Sequence, residues 1–509
     1  MSRRFFVAIA AIVALAAVLT IHRLGEADVC GVNEAVEGVF VQQMVEHGAL
    51  LFPVENGRSP MYKPPLFHWT ATAIDRIGGI RKVTPFNLRL PAALYAIAGA
   101  ILTMAFAYSF IGEWGAALAG MILCGSYQYI QQGRIGRVDM TLCFFETLAL
   151  FLFMWWFAPA TERDSTAMIS PRNDSLRYLF ALALGLGVLA KGPVGAILPA
   201  AACGIFLIAE RRFKDLWEIA APGPVLLAIV VGGSWYAACL FGRRYGFLDR
   251  QIGSENFGRF FGALGSMAPW YYVKPLLLNS APLSLFVPVA VYFALRTYGR
   301  LSPQKSGAEA DASISGATFS GDDARAIAAV RLCAIFWLVT VVFFNLAAYK
   351  RRAYLLPLWP PAAIMLAWWV EAIGRRLDSR NVARAMTAIM CAGLAAFNFF
   401  YLPYHEVREC GHDSYRRAAE HIDRIVGRAE PLYSYGIGEE PAPLIFYLDR
   451  NAPPIRGKLG DAPPGYVIIP AREWARHKDE ALDLEPIYES TSGAEKLILL
   501  RHGKAYALR

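Results

Sequence analysis

The sequence predicts an all-α, polytopic membrane protein with a small α/β domain at its C-terminal end. Of the 509 residues, 56% are hydrophobic and only 18% are charged, and the mean hydropathy is +0.36. A soluble protein of this length would need a more polar surface. Continuous apolar runs of about 20 residues, the length of a membrane-spanning helix, recur over the first four-fifths of the chain. Because the runs are continuous and do not alternate with polar residues, they predict helices rather than barrel strands.

The apolar runs also indicate how the chain crosses the membrane, and we expect about 11–13 transmembrane helices. Eleven runs are clear, at residues 5–21, 90–111, 115–130, 140–157, 178–190, 194–209, 224–241, 275–295, 330–348, 353–373 and 385–401. Arg3 and Arg4 precede the first run, which places the N-terminus in the cytoplasm. A signal peptide is the alternative for this run, but no small-x-small cleavage site follows it cleanly. The loop 26–89 should therefore face outward from the cell inner membrane.

The composition changes after Tyr401, which predicts a second domain. We expect a membrane domain at 1–403, whose loop 26–89 carries active-site motifs, and a periplasmic α/β domain at 404–509. Short strands are predicted at 431–435, 466–469 and 496–500, with helices at 414–426 and 472–478. This domain has no GxGxxG and no metal-ligand cluster, so a capping or docking role is favoured.

Net charge and cysteine content exclude other classes of protein. The formal charge of +9 resides largely in loops between spans, where Lys and Arg set orientation, so it does not predict a nucleic-acid partner. The eight cysteines show no paired spacing for zinc or redox chemistry and are expected to be small buried hydrophobes. Cys30 and Cys410 fall in segments on the same outer side, and a disulfide between them is an alternative that the sequence does not favour.

Basic residues on the predicted outer loops break the orientation rule. They are Lys63, Arg89, Arg134, Arg137, Lys191, Arg243, Arg244, Arg259, Lys350, Arg351 and Arg352. A phosphate held at the outer membrane face would explain their concentration near short motifs. Snorkelling to lipid headgroups is the alternative for single residues.

Carboxylates occur at two places on the same predicted face. Glu34 and Glu37, next to Asn33, are three residues apart and would share one face of a short helix. They could orient or deprotonate a nucleophile, or be solvated loop charges. Asp139, two residues after Arg137, lies where the chain re-enters the membrane. It could be a base or base partner and also a helix N-cap.

Three motifs present cations. In Tyr62-Lys63-Pro64-Pro65 the prolines exclude helix and would fix Lys63 for a phosphate oxygen, although a Pro-Pro helix entry is the alternative. Arg259 lies between aromatic residues in an outer segment. The run Tyr349-Lys350-Arg351-Arg352-Ala353-Tyr354 joins two spans and predicts an anion site, with headgroup anchoring as the alternative.

Together these motifs resemble the membrane glycosyltransferases of the aminoarabinose (lipid A) transferase and protein O-mannosyltransferase superfamily, which have the GT-C fold. The resemblance runs from the first span to about Tyr401, and the order and spacing of the motifs make it specific. The matching segments are Asn33-Glu34, Gln43 to Glu46, Lys63 to Pro65, Arg89 to Pro91, Arg137 to Met140, Leu189 to Pro193, Asn256 to Phe260 and the run from Arg351 onward, with Lys350 also available.

The resemblance implies an inverting transfer of a hexosyl or pentosyl group. The donor would be a polyprenyl (undecaprenyl) phosphate-linked sugar, and the acceptor a lipid A-type lipid, a glycan or a protein. Glu34 and Asp139 would be catalytic. The donor phosphate would be bound by Lys63, Arg259, Lys350 and Arg352. Supporting residues would be Asn33, Glu37, Tyr62, Arg89, Arg137 and Tyr354.

Two departures from the superfamily pattern affect the mechanism. Asn33 replaces a carboxylate and cannot act as a base, so Glu34 or Asp139 must do so unless an anionic acceptor needs none. Tyr62 and approximately Met267 replace a Glu and a His that are candidate metal ligands in relatives. We therefore expect no tightly bound metal and no cofactor.

Other functions fit parts of the pattern. A glycan ligase or polymerase would use a similar site, and a flippase of a lipid-linked sugar would also be polytopic. Transporters tend to show internal repeats and broken helices at the midplane, whereas here no repeat is visible and the charges lie at one face. A catalytically inactive scaffold is a third alternative because of Asn33.

Overall fold

The computed structural model describes residues 3–57, 59–158, 173–263, 265–296, 321–437, 442–448, 450–490 and 495–502. In these ranges the chain is predominantly helical. The first helices are α1 (Arg3–Ile21), α2 (Val32–Glu46), α3 (Leu66–Ile77), α4 (Pro85–Phe110), α5 (Glu113–Gly125), α6 (Tyr127–Gly133), α7 (Val138–Phe157), α8 (Asp174–Lys191), α9 (Val194–Ala209) and α10 (Phe213–Ile219). They are followed by α11 (Pro222–Phe241), α12 (Tyr245–Leu248), α13 (Arg259–Phe261), α14 (Val273–Leu278), α15 (Leu283–Arg296), α16 (Gly321–Leu346), α17 (Trp359–Arg376), α18 (Arg380–Asp413), α19 (Arg416–Ile425), α20 (Ala442–Leu448) and α21 (Ala471–His477).

The membrane bundle is confirmed by helix length and apolarity. Within the described residues, seven segments are long and apolar enough to cross a membrane: Arg3–Ile21, Pro85–Phe110, Val138–Phe157, Pro222–Phe241, Asp323–Leu346, Arg352–Arg376 and Arg380–Cys410. The shorter apolar helices α5, α9 and α15 pack with them. The protein is therefore a multi-pass membrane protein, and the expected number of 11–13 crossings stays a prediction.

Two of the predicted spans are broken, and the breaks lie together. The run 115–130 divides at Ser126, whose extended backbone separates α5 from α6. The run 275–295 divides between α14 and α15, just before Pro282, which has no N–H to continue a helix. The two breaks are joined by a hydrogen bond of 3.1 Å between the hydroxyls of Ser126 and Ser280. Hydropathy alone does not detect such breaks because both segments stay apolar.

Small residues bring neighbouring helices close together around the site. A Cβ atom on Gly187 of α8 would lie 2.6 Å from the carbonyl oxygen of Gly195 in α9, so glycine is required for this approach. Small residues serve the same purpose in membrane bundles generally. Between the two helices, Gly192 has a φ of 93°, in the left-handed region that favours glycine. This tight turn fixes Lys191, the last residue of α8.

The C-terminal region forms a four-stranded mixed sheet, whose strands follow in the order third, fourth, sixth and fifth along the chain. The strands are β3 (Leu432–Ser434), β4 (Tyr466–Pro470), β5 (Leu484–Glu489) and β6 (Leu497–His502), after the hairpin β1 (Val54–Glu55) and β2 (Ser59–Pro60). β3 pairs parallel with β4, and the other two pairings are antiparallel. The α/β character is confirmed. α18 runs without interruption from the bundle through Pro403 to Asp413, past the expected domain boundary, which stays a prediction.

This C-terminal region docks on the loop 26–89. Gln42 donates a hydrogen bond of 2.8 Å to the carbonyl oxygen of Phe446 in α20, and a Cβ atom on Gly38 would lie 2.7 Å from the Phe446 ring. A disulfide joins Cys30 to Cys410. The sequence did not favour this bond, since 380 residues separate the two cysteines and only the folded chain brings them together.

Candidate active site

A cavity of about 350 Å³ lies among α8, α9, α16 and the segment Asp249–Phe261. Its wall is mostly aromatic and aliphatic, with side chains from Ile197, Phe257, Phe260, Phe343 and Phe344 among others. Five cations also line it, namely Lys63, Arg137, Lys191, Arg259 and Arg351. The cavity thus combines a large apolar wall with a concentration of positive charge, which suits an amphiphilic anion.

Lys63, which lines the cavity, is anchored by side chains of α2 and α3. Its ammonium donates a hydrogen bond to Oε1 of Glu37, and His68 Nε2 lies 2.7 Å from Oε2 of the same carboxylate. All three side chains are buried. Burial would raise the pKa of Glu37, but the Lys63 charge and the His68 hydrogen bond lower it to about 2. Glu37 is therefore a fixed anion that orients Lys63 and a poor proton acceptor.

The rigid backbone predicted at Lys63-Pro64-Pro65 is present. Pro65 is the residue before α3, and no helix includes Lys63. The buried Tyr62 ring packs beside the Lys63 ammonium, with 5.0 Å between the nitrogen and the ring centre, and Arg250 lies 5.0 Å from the same ring. His68 had no part in the sequence prediction. It follows the motif by one turn of helix, and nothing in the sequence singles it out.

Asp139 holds two further cations of the cavity. Asp139 is the second residue of α7 and not its N-cap, so the expected N-cap role is wrong. The N-cap position is occupied by Arg137, whose side chain makes no capping hydrogen bond. The carboxylate of Asp139 accepts a hydrogen bond from Lys191 and lies 3.2 Å from Nη2 of Arg137. Lys191 also lies 4.7 Å from the ring centre of Tyr354. Asp139 is buried and thus fixes Lys191 and Arg137 at the cavity wall.

Glu34 has a different environment. Both of its oxygens accept hydrogen bonds from Arg89, at 2.8 and 3.0 Å, and Oε1 also accepts one of 2.8 Å from the backbone N–H of Gly136. Arg89 in turn donates to the carbonyl oxygens of Leu24, Ala27 and Asp28. Glu34 does not line the cavity. The geometry places Glu34 and Arg89 in a clamp that holds the loop 26–89, whereas the sequence suggested a catalytic Glu34.

Arg259 is fixed by the two segments that meet at the cavity. It pairs with Glu255 at 2.8 Å and donates a hydrogen bond of 3.3 Å to the hydroxyl of Tyr354. Its guanidinium also lies 5.3 Å from the ring centre of Tyr349. Both aromatic partners come from the segment between α16 and α17, so the structure joins two motifs that are about ninety residues apart.

Of the three consecutive bases, the middle one lines the cavity. Arg351 donates a hydrogen bond of 2.9 Å to Oδ1 of Asn33. Lys350 is buried and donates to the carbonyl oxygen of Ala347 at 2.6 Å. Arg352 lies in a separate cavity. The sequence chose Lys350 and Arg352 for the donor phosphate, and the geometry points instead to Arg351, because successive residues of an irregular segment face different directions.

Lys191, like Arg351, lines the cavity but was not among the predicted site residues. The sequence feature that could have identified Lys191 is the segment Leu189 to Pro193, which matches the superfamily pattern. In this segment Gly192 and Pro193 form the turn after α8. Within the described ranges, no group of three or more His, Cys, Asp or Glu side chains is placed to hold a metal ion. By the resemblance, Tyr62 and approximately Met267 replace candidate metal ligands, and the expectation of no tightly bound metal stays a prediction.

Comparisons with known proteins agree with the sequence resemblance. A family model for dolichyl-phosphate-mannose-protein mannosyltransferases matches residues 42–241. An uncharacterised protein of Aquifex aeolicus is 24% identical over 385 residues, which are 75% of this chain and 68% of that one. The undecaprenyl phosphate-α-4-amino-4-deoxy-L-arabinose arabinosyl transferase of Edwardsiella ictaluri is 25% identical over 71% of this chain and 60% of its own length. The match thus spans about three-fifths of that curated relative.

Solved structures show the same fold. ArnT from Cupriavidus metallidurans bound to undecaprenyl phosphate has a TM-score of 0.77 at 16% identity, over 97% of both chains. The oligosaccharyltransferase AglB from Archaeoglobus fulgidus, in complex with an inhibitory peptide and a dolichol-phosphate, has a TM-score of 0.53 at 12% identity, over 92% of this chain and 69% of that one. The first of these structures matches the chain from the membrane bundle through the C-terminal sheet.

Proposed function

We propose that this chain is a GT-C glycosyltransferase related to the aminoarabinose transferases and protein mannosyltransferases, and that it transfers a sugar from an undecaprenyl-phosphate carrier to an acceptor at the outer face of the membrane. The observation that carries the proposal is the single cavity in which five cations meet an aromatic and aliphatic wall. A polyprenyl phosphate has these two parts, a charged head and a long apolar tail.

The charge balance of the cavity favours the product of such a transfer. Three carboxylates pair with lining cations: Glu37 with Lys63, Asp139 with Lys191 and Arg137, and Glu255 with Arg259. Arg351 donates hydrogen bonds to two neutral groups, the amide of Asn33 and the hydroxyl of Tyr349, and no described carboxylate pairs with it. The five cations thus retain two uncompensated positive charges. A sugar-phosphate diester carries one negative charge and the free phosphate up to two, so the cavity stabilises the leaving phosphate more than the donor.

The proposed reaction is a direct displacement. An acceptor oxygen attacks the anomeric carbon, and the bond between that carbon and the phosphate oxygen breaks, with its electron pair remaining on the phosphate. Attack from the side opposite the phosphate inverts the configuration. The cations, held in place before the reaction, stabilise charge as it develops, and no nucleotide is required.

An acceptor hydroxyl must lose its proton during the transfer, which requires a general base. Glu34 is saturated by Arg89 and Gly136, and the pKa of Glu37 is lowered to about 2, so neither suits a general base. Asp139 is paired with Lys191 and Arg137 and does not line the cavity, so it fits a positioning role better than that of a base. An acceptor that is already an anion, such as a lipid phosphate, would need no base.

We also propose that the site and the C-terminal domain face the periplasm from the inner membrane. The disulfide between Cys30 and Cys410 supports this orientation, because such bonds persist in oxidising compartments and both cysteines lie on the side of the cavity motifs. Arg3 and Arg4 before α1 favour a cytoplasmic N-terminus, which gives the same orientation.

The test of the function is sugar transfer by the purified full-length chain. With an undecaprenyl-phosphate-linked sugar and an envelope lipid extract as acceptor, mass spectrometry should detect a glycosylated lipid, and Arg259→Gln and Arg351→Gln should each lower the rate by about 100-fold. The double variant Arg81→Gln/Lys82→Gln, in which two exposed cations of the same outer loop are removed, is the matched control. Transport of the lipid-linked sugar across vesicles without any transfer product would establish the flippase alternative instead.

A further inference from the structure

The imidazole of His68 is enclosed between α2 and α3 and is fully buried. His68 is the third residue of α3, and its ring meets the rings of Phe67 and Phe40 edge to face, with 5.4 and 5.8 Å between ring centres. Phe40 lies one turn after Glu37 in α2, so one face of α2 supplies both an aromatic contact and a carboxylate. These contacts hold the imidazole with Nε2 directed at Glu37.

The hydrogen-bond geometry assigns a hydrogen to Nε2 of His68. This nitrogen lies 2.7 Å from Oε2 of Glu37, and the Glu37 carboxylate is an anion, which can only accept hydrogen bonds. The other ring nitrogen, Nδ1, is buried and has no hydrogen-bond partner among the described residues. Within the described part of the chain, the polar role of His68 is therefore to donate one hydrogen bond to Glu37.

The carboxylate of Glu37 divides its two oxygens between two donors. Oε1 accepts a hydrogen bond from Lys63, and Oε2 accepts one from His68. Glu34 shows the other arrangement, because both of its oxygens accept hydrogen bonds from the one guanidinium of Arg89, at 2.8 and 3.0 Å. Without the hydrogen bond from His68, Oε2 of Glu37 would be a buried acceptor with no partner, which is costly. A rotation of the carboxylate that brings both oxygens onto Lys63 would relieve this state.

Lys63 can bind a ligand only with the N–H groups that Glu37 does not use. An ammonium has three N–H groups, and Lys63 donates one of them to Oε1 of Glu37. Lys63 makes no other hydrogen bond among the described residues, and its side chain lines the cavity. Two N–H groups therefore remain for a phosphate. A second bond to Glu37 would occupy one of them and offset more of the Lys63 charge.

We infer that His68 is a positioning residue for the donor phosphate. By holding one oxygen of Glu37, it limits that carboxylate to a single hydrogen bond with Lys63 and leaves two N–H groups of the ammonium for the phosphate. His68 does not line the cavity, so it acts through Glu37 and touches neither the donor nor the reacting atoms. The inference rests on the proposed function, which supplies the phosphate.

Three variants of the full-length chain separate this role from a merely structural one. His68→Leu removes the donor, and His68→Asn carries an amide that is too short to reach Glu37 but keeps the position polar. His68→Gln is the conservative variant, because the glutamine amide extends about as far as Nε2 and can donate to Glu37. His421→Leu is the matched control, since His421 is an exposed histidine of α19 in the C-terminal domain, where it stacks on Tyr488.

The probes for the binding test are undecaprenyl phosphate and undecaprenol, which lacks the phosphate. His68→Leu and His68→Asn should weaken undecaprenyl phosphate binding by about tenfold, whereas His68→Gln and His421→Leu should stay within about twofold of the unmodified chain. Undecaprenol should bind to all of these proteins alike. In the transfer assay, the KM for the donor should rise by about tenfold in His68→Leu and be restored in His68→Gln, whereas a purely structural defect would lower kcat and leave KM unchanged.

Unchanged undecaprenyl phosphate binding in both His68→Leu and His68→Asn, an equal loss in His68→Gln, or a loss of the same size for undecaprenol would each overturn the inference. Thermal denaturation in detergent shows which variants are folded, and His68→Asn decides the matter if His68→Leu does not fold. Weakened undecaprenyl phosphate binding in these variants together with no transfer by the unmodified chain would refute the proposed function while retaining the role of His68 in phosphate binding.

Discussion

Glu34 and Asp139 are both buried carboxylates bound to arginine at the same end of the bundle, yet they serve different structures. Glu34 is enclosed by Arg89 and the Gly136 backbone, and Arg89 also binds the carbonyl oxygens of Leu24, Ala27 and Asp28. Asp139 holds Lys191 and Arg137, and both of these side chains line the cavity. A buried ion pair can therefore either stabilise a fold or position charges for chemistry. Which of these two roles it has depends on the groups that the partner cation contacts.

The largest effect is expected at Asp139. Asp139→Asn removes the anion that fixes Lys191 and Arg137, so these cations would repel each other and leave their places at the cavity wall. Transfer should fall by about 1000-fold, and undecaprenyl phosphate binding should change far less, since the cations themselves remain. Single-turnover kinetics and a binding assay would measure both. Activity within a few-fold of the unmodified chain would end the distinction between the two carboxylates.

The Glu37 cluster allows a test by pH. Glu37→Gln leaves the buried Lys63 without an anion and should destabilise the protein by about 3–5 kcal/mol near neutral pH. Because the folded-state pKa of Glu37 is about 2 and the ordinary value is 4.5, this stabilisation is complete above pH 4.5 and is lost as the pH falls toward 2. Thermal denaturation of both proteins in detergent across this range would show the difference. A difference that grows on acidification would contradict the assignment.

Glu34→Gln should affect stability more than activity. The amide can still accept the hydrogen bond from Gly136, but the ion pair with Arg89 is lost, so we expect destabilisation by about 2 kcal/mol. Transfer per folded molecule should stay within about threefold of the unmodified chain. Glu34 makes no hydrogen bond to a residue that lines the cavity, and its nearest link is the backbone of Gly136, which precedes the lining residue Arg137. Circular dichroism melting and transfer rates corrected for folded protein would separate the two effects. A loss comparable with that of Asp139→Asn would return Glu34 to a catalytic role.

The smallest effect on stability is expected at Asp75, a buried carboxylate that accepts a hydrogen bond from a neutral amide. Asp75 accepts a bond of 3.1 Å from the Asn87 amide, and burial raises its pKa to about 6. Since the ordinary value is 3.8, the folded state loses stability as the pH rises from about 4 to 6. Asp75→Asn should therefore stabilise the protein by about 1 kcal/mol above pH 6 and have no effect near pH 4. Thermal shifts at the two pH values would check this, and stabilisation at the lower pH alone would exclude the explanation.

Much of the fold and part of the site could be predicted from local signals. The eleven apolar runs all correspond to helices, although two are broken, and the three strands predicted in the C-terminal domain lie near β3, β4 and β6. The strand β5 was not predicted. Lys63, Arg137 and Arg259 were found because prolines, a membrane boundary and aromatic neighbours mark them in the sequence. Arg351 and Arg352 could not be separated, because which of two adjacent side chains faces a cavity depends on the packing of an irregular segment.

By itself the sequence determined the membrane bundle, the concentration of cations near short motifs and the position at which the composition becomes polar. These are consequences of hydropathy, charge and proline, which act over a few residues at a time. Only the tertiary structure decided the partners: His68 with Glu37, Lys191 with Asp139, Arg351 with Asn33 and Cys30 with Cys410. Each pair joins residues from different elements, and the free energy of a buried charge depends on which groups the packed chain places around it.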